Sequence, residues 1–230
     1  RFSTKSGLKM SINTTLNYSP NFSPQKRNKK NIKFIIFHYT GMKKESEAIS
    51  RLTDIQSEVS SHYLIKNNGK IVKLVPDLYI AWHAGKSKWK DYSSLNKNSI
   101  GIEISNPGHK FVYKNFSRKQ INSLLRLSKF LIKEHNIQPE NILGHSDIAT
   151  SRKKDPGEKF PWEYLSKKKI GLWHDIKNKI LISNRGHKID NISYNSFLDN
   201  LFKIGYPKKI PKNITQQRHQ IFTIKAFQRR

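Results

Sequence analysis

Two histidines and an aspartate stand where apolar or turn-forming segments end. They are His38 in Ile35-Ile-Phe-His-Tyr-Thr40, His145 in Gly144-His-Ser-Asp-Ile-Ala149 and Asp155 in Arg152-Lys-Lys-Asp-Pro-Gly157. Neutral imidazole and carboxylate bind Zn²⁺ well, and three such ligands in a tetrahedral set leave the fourth position for water. The trio is therefore a candidate His-His-Asp zinc site, and its chemistry would be hydrolytic. A single histidine is weak evidence, because most of the nine in this chain are expected to be surface or hydrogen-bonding residues. The weight comes from clustering: His145, Lys153 and Asp155 fall together on a loop closed by Pro156-Gly157, and loops over a rigid sheet are where function concentrates. Glu103 is the other unusual group. It lies between Ile102 and Ile104, an awkward place for a carboxylate unless it faces a metal, a cation or a cleft.

The elements that must position these residues are legible in the hydrophobic pattern. The unbroken apolar run Phe34 to Phe37 suits a strand covered on both faces, with His38 at the carboxyl end where ligands of sheet proteins gather. Ala48, Ile49 and Leu52 have helical spacing, and Asn67-Asn-Gly69 marks a hairpin turn between strands 61–65 and 71–75. Ser99 to Ile104 reads as a second buried strand. Ser117-Arg-Lys-Gln120 is a capping box opening a helix whose stripe includes Ile121, Leu124, Leu125, Ser128, Leu131 and Ile132. Ile142 and Leu143 make a short strand, after which Gly144 releases the chain into the His145 loop. Alternating strands and helices predict an α/β fold, a mixed β-sheet flanked by helices. Residues 1–31 are polar and turn-rich and read as a surface arm.

After Trp162 the texture changes. Residues 166–230 carry 15 Lys+Arg against 3 Asp, and apolar clusters at Phe197, Leu198, Leu201, Phe202 and at Ile221, Ile224, Phe227 predict a small α-helical C-terminal module. The whole chain carries 44 Lys+Arg against 16 Asp+Glu, a net charge of +28 that favours polyanions, although Lys, Asn and Ile are abundant throughout and part of the basicity reads as compositional drift. Nucleic acid is not the expected partner, because no aromatics are interleaved with the basic runs and no groove-reading helix is recognisable. Without cysteine there is neither a disulfide framework nor a thiolate metal site. No apolar run approaches the length of a transmembrane segment. The chain begins at Arg1 with no secretory apolar stretch, which leaves export, with a signal removed by processing or trimming, and a cytosolic location both open at this point.

Five phrases in order carry a resemblance: Phe37-His-Tyr-Thr40, Ser60-Ser-His-Tyr63, Ala81-Trp-His-Ala-Gly85, Ser99-Ile-Gly-Ile-Glu-Ile104, and Gly144 to Ala149 with Arg152 to Gly157. Over roughly residues 12–165 the chain resembles the zinc-dependent N-acetylmuramoyl-L-alanine amidases of the type 2 amidase family, more closely its exported branch than its cytosolic recycling branch. The resemblance implies one Zn²⁺ per chain on His38, His145 and Asp155, Glu103 as catalytic acid/base and Lys153 beside the developing oxyanion. It implies hydrolysis of the amide joining N-acetylmuramic acid, the 1,6-anhydro form included, to the L-alanine of the stem peptide. Peptidoglycan or muropeptides are the implied partners, in the periplasm or cell envelope with the cytoplasm as alternative, and a monomer is expected. The alternative function is a noncatalytic peptidoglycan-recognition protein, but such relatives lose zinc ligands, whereas this chain keeps all three with Glu103 and Lys153.

His83 in Trp82-His-Ala-Gly85 invites a fourth ligand, yet a fourth would close the site, so it is expected to line the cleft and touch substrate. Trp89 and Asn106 are further expected substrate contacts, and His62 is expected to be structural. The tail resembles a peptidoglycan-binding module through Phe197 to Tyr206 and Ala226 to Arg230, but Pro207-Lys-Lys-Ile-Pro-Lys212 replaces the usual Asp-Gly turn. The resulting organisation is an N-terminal arm 1–31, a catalytic domain 32–165, a linker 166–190 and a helical module 191–230, with the tail separable from the chemistry.

Overall fold

The computed structural model describes residues 11–230. In chain order its elements are β1 (Thr15–Leu16), β2 (Phe22–Ser23), β3 (Phe34–Tyr39), α1 (Glu45–Thr53), β4 (Tyr63–Ile65), β5 (Ile71–Lys73), β6 (Ile80–Ala81), β7 (Lys88–Trp89), β8 (Tyr92–Ser93) and β9 (Ser99–Ile104). There follow α2 (Arg118–His135), β10 (Ile142–Gly144), α3 (His145–Ile148), α4 (Trp162–Ser166), α5 (Asn178–Ser183), α6 (Asn191–Ile204) and α7 (Gln216–Gln228).

Six strands form one mixed sheet in the order β1-β5-β4-β9-β3-β10. β3, β4, β9 and β10 run parallel, and β5 returns antiparallel on β4. Parallel strands need both faces covered. Accordingly Phe34, Ile35, Ile36 and Phe37 are all buried, as are Ile100, Ile102 and Ile104. Alternation sorts them: Ile35, Phe37, Ile100, Ile102 and Ile104 share one core with Leu124, Leu127 and Leu131 of α2, while Phe34 and Ile36 share another with Leu143, Ile148 and the C-terminal helices. The helix begins as its sequence dictates, with Ser117 Oγ accepting from Gln120 N and Gln120 Oε1 accepting from Ser117 N.

Three sequence expectations change. The arm is not a surface appendage among its described residues: β1 joins the main sheet beside β5, β2 pairs with β6, and buried Arg27 donates to the carbonyls of Asp77 and Asn96. Polar composition hid this, because the arm is held by hydrogen bonds rather than by an apolar stripe. His145 sits at the start of the short helix α3 rather than in a loop. The helical tail does not stand apart either. Leu201, Tyr206 and Ala226 share a core with Phe34, Ile36, Trp89 and Leu143, and Tyr206 Oη donates to buried Asp147 at 2.6 Å. Gly205 has φ +145° and leaves room that a side chain would take from the indole of Trp89. Residues 1–10 of the arm lie outside the described residues.

Candidate active site

The register of the sheet builds the site. His38, the penultimate residue of β3, lies directly opposite Glu103 of the parallel neighbour β9, and paired positions on adjacent strands project to the same face. β10 lies on the other side of β3, with Gly144 opposite Phe37, so the next residue, His145, emerges beside His38. The loop after α3 brings back Asp155, whose carbonyl accepts from Ser146 N at 2.8 Å.

His38, His145 and Asp155 come together, all buried, and form the one such group of potential metal ligands among the described residues. His38 Nδ1 lies 2.9 Å from His145 Nδ1, and each lies 3.1 Å from Asp155 Oδ2. Ligands about 2.0–2.2 Å from a tetrahedral ion stand roughly 3.3 Å apart, so the near-equilateral triangle fits a zinc-sized cation to within a few tenths of an ångström. The donor chemistry fits as well. Burial lowers the His38 pKa to about 4, assisted by His145 and opposed by Asp155, which keeps the ring neutral. Asp155 is held well below the usual carboxylate range: its burial acts to raise the pKa, but the hydrogen bonds and charges of His145 and His38 outweigh it. His145 Nε2 lies 3.2 Å from the Ala84 carbonyl, which can only accept, so the proton is on Nε2 and the Nδ1 lone pair faces the trio.

Glu103 and Lys153 line the same cleft of about 750 Å³. Burial pushes the Glu103 carboxyl up to about 8, Asp155 adds to the rise and Lys153 opposes it. Its Oε2 is sealed from solvent without a hydrogen-bond partner. A carboxylate so placed gains from any cation or water at the trio. The rim is cationic, with Lys43, Arg51, Lys110, Arg152 and Lys154 around it. A larger groove along α2, about 1160 Å³, is lined by neither histidine nor carboxylate and holds nothing that could activate water.

The expected substrate contacts fare differently. His83 borders the cleft, but both its ring nitrogens are engaged within the protein, Nδ1 3.0 Å from His38 Nε2 and Nε2 3.1 Å from Ser99 Oγ. Trp89 is not brought to the cleft: it is 1 % exposed, edge-on to Tyr206 beneath the C-terminal helices. Asn106 is also withdrawn. Its amide donates to the Lys114 carbonyl and its Oδ1 accepts from Gly108 N, so it shapes a loop instead of meeting a ligand. His62 is structural as expected, its Nδ1 accepting from Gly101 N and its Nε2 donating to the Tyr79 carbonyl, and burial lowers its pKa to about 3. The sequence reading missed Trp82 and Phe111, which do line the cleft, and Arg152, which ties the loop to the carbonyls of Ala84 and Lys86. Trp82 was signalled by its place beside His83. Arg152 was signalled only as the first residue of the phrase that contains Asp155.

A mixed sheet with a buried His-His-Asp trio and an adjoining carboxylate at its carboxyl edge defines a hydrolase built around a candidate metal centre. The chain belongs to the Amidase_2 family, N-acetylmuramoyl-L-alanine amidase, whose pattern matches residues 28–158. It is 39% identical over 211 residues to the N-acetylmuramoyl-L-alanine amidase AmiD of Escherichia coli, covering 86% of this chain and 74% of that protein. It is 32% identical over 167 residues to the 1,6-anhydro-N-acetylmuramyl-L-alanine amidase AmpD of Haemophilus influenzae, covering 64% and 88%. Among solved structures it resembles AmiD in complex with anhydro-N-acetylmuramic acid-L-Ala-D-γ-Glu-L-Lys, with TM-score 0.72, 37% identity and coverage of 86% of this chain and 79% of that one. It also resembles AmpDh3 of Pseudomonas aeruginosa in complex with an anhydromuramic pentapeptide, with TM-score 0.71, 29% identity and coverage of 99% and 88%.

Proposed function

We infer that this chain hydrolyses the amide bond between the lactyl group of N-acetylmuramic acid, the 1,6-anhydro form included, and the L-alanine of peptidoglycan stem peptides, using one zinc ion. The observation that carries this reading is the triangle of His38 Nδ1, His145 Nδ1 and Asp155 Oδ2, with Glu103 in register beside it. Zinc held by those atoms supplies, when bound, a Lewis acid that acidifies water and polarises a carbonyl. Glu103, facing the same cleft, accepts the proton of the attacking water and returns it to the nitrogen of L-alanine as the C–N bond breaks. Lys153 places positive charge where the carbonyl oxygen becomes anionic. The cationic rim suits the carboxylates of a stem peptide, and it is a surface that peptidoglycan or its fragments would meet in the periplasm or cell envelope. No helix among the described residues is long and apolar enough to cross a membrane. Mass spectrometry of muropeptides incubated with the protein tests the reading: a free peptide beginning with L-alanine and an intact muramic sugar are expected, and cleavage at a glycosidic or peptide–peptide bond would contradict it.

A further inference from the structure

Strand β9 turns Ser99, Gly101 and Glu103 to the face that carries the trio, since alternate residues of a strand share a face. Glu103 belongs to the chemistry described above, whereas the other two meet His83. A Cβ on Gly101 would stand 2.4 Å from Cγ of the His83 ring, so the ring lies directly on the strand backbone. The segment bearing it is fixed too, because the backbone N–H groups of His83 and Ala84 both donate to Asn96 Oδ1, at 3.1 and 2.7 Å.

The hydrogen bonds through this ring have one possible direction. The Leu95 carbonyl can only accept, so the Ser99 hydroxyl donates to it at 2.6 Å. With its hydrogen so used, Ser99 Oγ can only accept from His83 Nε2, 3.1 Å away. A neutral imidazole carries one proton. His83 Nδ1 is therefore bare and accepts from His38 Nε2–H at 3.0 Å, which leaves the lone pair of His38 on Nδ1, the atom that faces His145 and Asp155.

We propose that His83 is a positioning residue: anchored by Ser99 and seated on Gly101, it holds His38 in the tautomer whose Nδ1 can ligate the metal. This rests on the reading of the trio as a zinc centre and adds to it the group that prepares one ligand, a role for which metal-binding histidines commonly rely on a carboxylate or carbonyl acceptor. Here the acceptor is a second imidazole, and its own polarity is set by Ser99 at the start of β9, whose hydroxyl donates to the carbonyl of Leu95 four residues before it.

The test compares His83→Asn with His83→Leu in the full chain. The two side chains have nearly the same shape, but Asn Oδ1 stands near the position of the lost Nδ1 and can accept from His38, whereas Leu cannot. Zinc affinity is measured by competition with a chromophoric chelator, and thermal unfolding is measured on the metal-free proteins. His83→Leu is expected to bind zinc ~10–100-fold more weakly than wild type, and His83→Asn within about threefold of it, while the two metal-free variants melt within a few degrees of each other. Ser99→Ala, which removes the anchor without touching either ring, is expected to weaken zinc about tenfold. Equal zinc affinity in the Asn and Leu variants, or wild-type affinity in His83→Leu, overturns the proposal and leaves the zinc centre standing. A wild-type protein that takes up no zinc overturns the reading on which it rests.

Discussion

Glu103 combines a sealed oxygen without a partner and a carboxyl raised to about 8 by burial and by Asp155. A cation at the trio acts in the same sense as Lys153 and brings the group down toward the range where it serves as a base at neutral pH. Replacing it by Gln keeps the shape and removes the base, so Glu103→Gln is expected to lower turnover at least ~10²-fold while zinc content, checked by elemental analysis, stays at the wild-type level. Near-normal turnover would make Glu103 a structural group. The buried histidines make a second prediction at this scale. His38, His62 and His83 are all lowered by burial, the first two to about 4 and about 3. Between the unfolded value near 6.5 and those folded values the unfolded chain binds more protons, so stability rises with pH and is lost as the pH falls. The denaturant midpoint of the metal-free protein is therefore expected to drop from about pH 6.5 toward pH 4. A flat profile across that window would show that the rings are solvated. At this scale the trio and Glu103 stood out in the sequence by type and setting, the role of Lys153 came only from the resemblance, and Trp89 was chosen over Trp82 because burial depends on the distant Tyr206 and Gly205.

The helices after residue 190 act on the site through α3. Asp147, fully buried, accepts from Gly144 N at Oδ2 (2.8 Å) and from Tyr206 Oη at Oδ1 (2.6 Å), and the Arg230 guanidinium lies 3.8 Å from the same Oδ2 and stacks over Trp162. Gly144 and Asp147 flank the start of the helix that presents His145. Tyr206→Phe removes one donor from a buried carboxylate and is expected to cost about 1–3 kcal/mol in chemical unfolding. A loss below half a kcal/mol would show that water replaces the hydroxyl. The elements themselves were legible: the 3.6-residue stripe and capping box gave α2, Asn-Gly gave the hairpin of β4 and β5, and the apolar runs gave β3 and β9. Register was not, because nothing local in Phe34 to His38 states that His38 will face Glu103. Nor was the place of β1, which the edge of the main sheet recruits from a polar stretch through backbone hydrogen bonds, or of β2, which pairs with β6 in a separate two-stranded sheet.

Among the described residues the C-terminal helices α6 and α7 close a face of the catalytic sheet, covering Trp89, Phe34 and Leu143, whereas α5 is exposed throughout. Ending the chain near Lys167 uncovers these side chains, each worth on the order of 1.5–3 kcal/mol when fully buried, so the truncated protein is expected to melt well below the full chain in a thermal scan. An unchanged melting temperature would return the tail to the status of an appended module. The charge of +28 acts at the same scale. Retention on insoluble peptidoglycan sacculi is expected to fall as salt is raised from about 50 to 300 mM, because exposed charges are screened beyond ~8 Å at physiological ionic strength, and salt-independent retention would assign binding to uncharged contacts. Metal-dependent amide hydrolysis at the His38, His145 and Asp155 site is tested by following release of L-alanine-terminated peptide from a purified muropeptide by the protein as isolated, after exhaustive chelation, and after one equivalent of zinc is restored. Cleavage, its loss with the fold retained, and its recovery are expected in turn; undiminished cleavage by the metal-free protein would show that the trio does not work through a metal.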